Sequence, residues 1–111
     1  MAIIEVSIVF ESGARIGPDS AKLLESVREN GSISAAARRV GMPYKKAWML
    51  LDRMNQTFSE PVVTAAPGGA GGGGASLTPL GAEVLERYQQ VATQVAETAH
   101  ENIAALARRA R

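Results

Sequence analysis

Apolar and polar side chains alternate at the start of the chain, with Ile4, Val6, Ile8 and Phe10 on one face and Glu5 and Ser7 on the other. A period of two in β-branched residues predicts one half-buried strand over residues 3–10. Beyond Gly13 and Gly17 the period lengthens. Ala21, Leu24, Val27 and Arg28 recur at helical spacing behind Pro18, and Asn30-Gly31 supplies a left-handed end, so a helix is expected over residues 18–30.

Ser32 then reads as the N-cap of a two-turn helix with Ile33, Ala36, Ala37 and Val40 on one face, stopped by Gly41. Pro43 opens the next helix, whose apolar face is Ala47, Leu51, Met54 and Phe58. The residues that must meet where these helices cross, Ala36, Ala37 and Ala47, are all small. Two helices joined by a tight glycine turn and crossing closely are the pattern of a helix-turn-helix.

Residues 60–66 predict a strand and Ala75 to Leu77 a short return strand, with Pro67 and the glycine tract 68–74 between them as the tip of a hairpin, or wing. Thr78-Pro79 then starts a helix that only Gly81 interrupts, expected to run over residues 78–108 as one piece. At 1.5 Å per residue it would be about 45 Å long, more than the preceding body can cover. Its stripe of Val84, Tyr88, Val91, Val95, Ala99 and Ile103 is the expected dimerisation face, a second copy being the commonest cover. The alternative is that the alanine-rich end frays.

Composition narrows the chemistry. The 111 residues are 46% hydrophobic and 21% charged, ordinary usage for one folded core. With no cysteine and one histidine, thiol chemistry, His-pair metal ligation and Ser/His catalysis lack raw material, so no enzyme, metal or cofactor is expected. No membrane span or signal peptide is apparent, which makes the cytoplasm the expected location. Net charge is only +1, but residues 31–53 carry Arg38, Arg39, Lys45, Lys46 and Arg53 against Asp52 alone.

That basic excess falls on the helix-turn-helix. The outward face and start of a second helix enter the DNA major groove, which here selects Pro43, Tyr44, Lys45, Lys46, Met49 and Arg53. Lys45 and Lys46 are placed to reach phosphates or guanine edges, and Arg53 the backbone; a merely solvated face is the bland alternative. Tyr44 and Met49 divide between thymine-methyl or backbone contact and half-core packing. Trp48, beside the apolar stripe, is assigned to the core before a DNA contact. Ser34 and Arg38 or Arg39, on the preceding helix, are further phosphate candidates. Gly71 and Gly72 in the wing tip would let main-chain N–H groups approach phosphates. Gly69, Gly71 and Gly74 also fit a dinucleotide-binding G-x-G-x-x-G, but any glycine run does, and here no helix opens on the tract.

Gly31-Ser32-Ile33-Ser34, Ala37, Gly41, Tyr44-Lys45-Lys46-Ala47-Trp48, Met54-Asn55-Gln56, the glycine tract and Leu77-Thr78 with Gly81 together resemble the N-terminal DNA-binding domain of the ModE regulators, winged-helix relatives of the LysR type. The resemblance covers residues 31–81, and the preceding strand and helix fit it. It implies that residues 43–53 form the recognition helix, that the hairpin is the wing and that the last helix dimerises. Two departures stand out. The family's molybdate-binding domains do not follow, so no molybdate binding is expected from this chain alone, and the wing lacks the usual basic residue.

The expected fold is therefore mainly α with a small β component: a winged helix-turn-helix over residues 1–77, then a long C-terminal dimerisation helix over residues 78–111. The expected function is binding of double-stranded DNA by a homodimeric transcriptional regulator. The alternative is a protein-interaction module that uses the long helix and keeps a vestigial helix-turn-helix.

Overall fold

The computed structural model describes residues 2–65 and 73–111. In chain order the elements are β1 (Ile8–Val9), β2 (Arg15–Ile16), α1 (Pro18–Asn30), α2 (Ile33–Arg39), α3 (Tyr44–Thr57), β3 (Val63–Ala65), β4 (Ala75–Leu77), α4 (Pro79–Thr98) and α5 (His100–Arg109). The strands form two separate antiparallel pairs, Ile8 opposite Ile16 in the first and Thr64 opposite Ser76 in the second.

One core joins these elements. Leu23, Leu24 and Val27 of α1, Ala36 and Ala37 of α2, and Ala47, Leu51 and Met54 of α3 close on one another, with Val62 and Leu85 sealing the wing side. Ser26 is buried among them. Its hydroxyl donates to the Ala36 carbonyl at 2.9 Å and accepts from Asn30 Nδ2 at 3.0 Å, so a polar group inside the α1–α2 contact is fully partnered. Ser32 caps α2 by accepting from the Ala35 N–H at 3.0 Å. Gly41 has φ of 70°, a left-handed turn that an L side chain adopts only at a cost, and Met42 N–H then donates to the Ala37 carbonyl at 2.9 Å. With Ala36 and Ala47 both fully buried at the crossing, α2 and α3 pack in close contact.

The structure corrects the sequence expectations in several places. The N-terminal strand shrinks to Ile8–Val9, because only there does a partner strand, Arg15–Ile16, satisfy its backbone; the alternation persists, with Val6, Ile8 and Phe10 half-buried, whereas Ile4 is exposed. The predicted 60–66 strand forms only over Val63–Ala65, and residue 66 lies outside the described residues. In α1 the inward line is completed by Leu23 and Ser20 rather than Arg28, which is exposed.

The single C-terminal helix is two. Ala99 has φ −92° and ψ 7°, far from the helical ψ near −42°, although Ala99 N–H to Val95 O and Ile103 N–H to Ala99 O, both 2.9 Å, bridge the joint. Two features account for the break. Thr98, His100 and Asn102 are weak helix formers, and α5 buries no residue that would hold the ladder straight.

Tyr88 also departs from its expected place. It is only 7% exposed and packs in the chain's own core, its hydroxyl donating to the Val6 carbonyl. Burial, and then the nearby Glu5, raise the pKa of its phenol above 10.0. Val84 packs against the same core, so the first half of α4 is fastened to the body while Val91, Ala99 and Ile103 are half-buried and Val95 and Leu106 exposed. A three-helix core with a helix-turn-helix, a β-hairpin after its second helix and a projecting helical end is a winged helix-turn-helix.

Candidate nucleic-acid interface

Helix α3 is amphipathic. Ala47, Leu51 and Met54 line its buried side, and turning roughly 100° per residue from them places Lys45 and Met49 on the outer face. Tyr44 is 57% exposed, Lys45, Lys46 and Arg53 are exposed, and Met49 is 39% exposed. Pro43, extended at φ −59° and ψ 142°, precedes the first turn, and its carbonyl accepts from Ala47 N–H at 3.0 Å. The structure thus brings the predicted residues of this helix onto one solvent-facing surface. Ser34, Arg38 and Arg39 are exposed on α2, while Gly71 and Gly72 lie outside the described residues.

Trp48 is not core. It is 50% exposed and borders a cleft between α3 and the wing, with Ile33, Asp52, Asn55, Val63 and Ala65. The reason is angular: Trp48 is one residue beyond Ala47, and the close α2–α3 crossing leaves no room inside for an indole.

Charge is distributed unevenly on α3. Lys46 Nζ is 3.5 Å from Asp19 at the start of α1, but both side chains are more than half exposed, so the pair contributes at most about 1 kcal/mol and is readily exchanged for another anion. Among the described residues, Lys45, Arg53, Arg38 and Arg39 have no acid within ion-pair distance. Asp52 accepts from Gln56 Nε2 at 3.0 Å, one turn along the helix.

The wing is fixed to α3 by Asn55. Its Oδ1 accepts from the Val62 and Val63 N–H groups at 2.8 and 3.1 Å, and its Nδ2 donates to the Val63 carbonyl at 3.2 Å. Ala75 N–H donates to the Gly31 carbonyl at 2.8 Å, tying β4 to the start of the helix-turn-helix. Thr78 caps α4 by accepting from Gly81 N–H at 3.0 Å and donates to the Pro61 carbonyl at 2.7 Å. Gly81 lies against Val62 so closely that a Cβ there would fall 1.9 Å from its carbonyl oxygen. Asn55 and Gly81 therefore set the angle of the wing, a role that neither hydrophobic period nor charge reveals.

Close-packed helices, a cationic exposed second helix and a clamped hairpin define a helix-turn-helix module built to meet an anionic polymer. Comparison with known proteins gives the family. The lysR family of bacterial regulatory helix-turn-helix proteins matches residues 18–82, and the chain belongs to it. Its curated relatives include the molybdenum-pterin-binding protein MopB of Rhodobacter capsulatus, 47% identical over 90 residues, which are 81% of this chain and 33% of that protein. The molybdenum transport protein ModE of Azotobacter vinelandii is 34% identical over 87 residues, 78% of this chain and 32% of that protein. The DNA-binding transcriptional dual regulator ModE of Escherichia coli (strain K12) is 40% identical over 75 residues, 68% of this chain and 29% of its own length. The chain spans about a third of the length of these relatives. Among the described residues, no helix is long and apolar enough to cross a membrane.

Proposed function

We propose that this chain is a sequence-specific, double-stranded DNA-binding regulator of the ModE type that acts as a homodimer in the cytoplasm, with α3 seated in the major groove. The observation that carries the reading is the exposed face of α3, where Lys45, Met49 and Arg53 point outward from a rigidly packed helix. Lysine and arginine there neutralise phosphates or reach guanine edges, and Met49 and Tyr44 offer apolar contact to thymine methyl groups. Ser34 and Arg38, exposed on α2, supply further backbone contacts.

Dimerisation is assigned to the free half of the C-terminal helices. Val91, Val95, Ala99 and Ile103 continue the stripe that Val84 and Tyr88 begin in the core, and Leu106 is 72% exposed beyond them. The molecule is 55 Å long but only 29 and 21 Å across, so this end projects beyond the body. A symmetric second copy would bury it and place two recognition helices on the two halves of a palindrome. The molybdenum chemistry in the relatives' names is assigned to the two-thirds of their length that this chain does not match, and not to these residues.

The test is equilibrium binding to a labelled duplex over a range of salt concentration, with light scattering for mass. Replacing Lys45 and Lys46 by alanine should weaken binding and reduce the slope of log affinity against log salt by about 0.9 for each phosphate no longer neutralised. An unchanged slope removes these lysines from the interface. A stable monomer without affinity for DNA would favour an interaction module instead.

A further inference from the structure

We propose that the chain grips the DNA backbone on the α1 side of the recognition helix, with Arg15 of the β1–β2 hairpin and Arg53 of α3 as the cationic phosphate ligands. This rests on the DNA-binding reading above and adds to it a surface, the N-terminal hairpin, outside the helix-turn-helix and the wing.

The major groove is about 12 Å wide and a helix with its side chains about 10–12 Å across, so a seated helix has one phosphate strand along each flank. The two flanks of α3 differ sharply in charge. On the wing flank, the cleft bordered by Trp48, Asn55 and Val63 contains one charged group, the acid Asp52. The sequence has no lysine or arginine between Arg53 and Arg87, so neither the wing strands nor the tip that joins them carries a cation. Phosphates on that flank meet no cationic side chain of the wing.

On the opposite flank a groove of about 770 Å³ separates the hairpin and the start of α1 from the second half of α3, and Arg15 and Arg53 both line it. Among the described residues, neither arginine has an acid within ion-pair distance. Lys45 and Lys46 border the adjoining depression together with Arg53, which makes the surface continuous. The groove itself is lined by two acids, Glu5 and Asp19, of which Asp19 pairs with Lys46, so among the described residues Arg15 and Arg53 in the groove and Lys45 beside it remain without an acid partner. The hairpin is held in place before any DNA arrives. Phe10 meets Phe58 edge-on, with ring centres 5.7 Å apart, and the Tyr88 hydroxyl donates to the Val6 carbonyl. Arg15 is exposed on a short strand so anchored, and its guanidinium suits bidentate phosphate contact.

The experiment measures affinity for a short random-sequence duplex across salt concentrations, using the full chain with Arg15→Ala, with Arg53→Ala and, as a control on α4, with Arg87→Ala. Thermal melts confirm that each variant folds. Arg15→Ala and Arg53→Ala should each flatten the salt slope by about 0.9 and weaken binding at low salt, while Arg87→Ala keeps the wild-type slope. Wild-type slope and affinity in Arg15→Ala would overturn the proposal while leaving the recognition helix in place. A wild-type chain with no salt-dependent binding would overturn both this proposal and the DNA-binding reading beneath it.

Discussion

Replacing Gly81 by alanine tests how the wing is held. The added Cβ would lie 1.9 Å from the Val62 carbonyl oxygen, 2.9 Å from its carbon and 3.2 Å from its Cα, all backbone atoms that cannot swing aside. Restoring ordinary contact requires α4 to move away from Val62 by about 1.5 Å. That movement stretches the Thr78 contacts to Pro61 and Val62, at 2.7 and 3.0 Å, and loosens Leu85, which is fully buried beside them. Overpacking of this kind destabilises by about 3 kcal/mol, the upper end of its usual range, because the obstructing wall is main chain. For a domain of this size that lowers the melting temperature by roughly 10–20 °C. Gly41→Ala is the comparison, since a Cβ there meets nothing within 4 Å and only the φ of 70° is unfavourable. It should lose about 1 kcal/mol. Thermal and urea unfolding followed by circular dichroism reads both. A Gly81→Ala variant no less stable than Gly41→Ala would refute the close α4–wing contact.

Asn55→Ala removes three hydrogen bonds to the base of the wing and should cost about 2–3 kcal/mol in urea unfolding, whereas Asn55→Asp keeps the acceptor for Val62 and Val63 and should lose about half of that. Equal losses would mean that the clamp is not what Asn55 contributes. Tyr88→Phe tests the alkaline limit of stability. The folded phenol pKa is raised by burial and by Glu5, so its stabilising contribution is complete below the ordinary value of 10.0 and is lost as pH rises through the folded value. The phenylalanine variant should be less stable by about 1 kcal/mol at neutral pH and should lose less stability than wild type above pH 10. Parallel pH curves for the two proteins would contradict the burial of that hydroxyl.

Period, glycine and capping residues made the helices legible. Pro18 to Asn30 is helical as the spacing indicated, Ser32 caps α2, and Gly41 turns the chain, because each depends on local backbone physics that neighbouring residues declare. What stayed hidden is long-range. Strand β2 is two residues long, too short for a period, and exists only because Ile8 and Val9 pair with it. Trp48 carries the same hydrophobic label as a core residue, and only the proximity of α2 decides that it remains outside. Tyr88 belonged to a stripe continuous along the helix, yet the stripe changes role partway, from core to projecting face, at a point set by where the body ends. Basic residues near the second helix were visible in composition. That Lys46 leans on Asp19, and that Arg15 and Arg53 share one groove, required the fold.

The most direct measurement is selection of random-sequence duplexes by the purified chain, with sequencing of the bound fraction at two salt concentrations. If two copies of α3 read two half-sites, an inverted repeat should be enriched, its half-site centres about one helical turn apart, and affinity should fall as salt rises. Absence of binding at low salt, or binding with no sequence enriched, would contradict the assignment of a sequence-specific DNA-binding dimer.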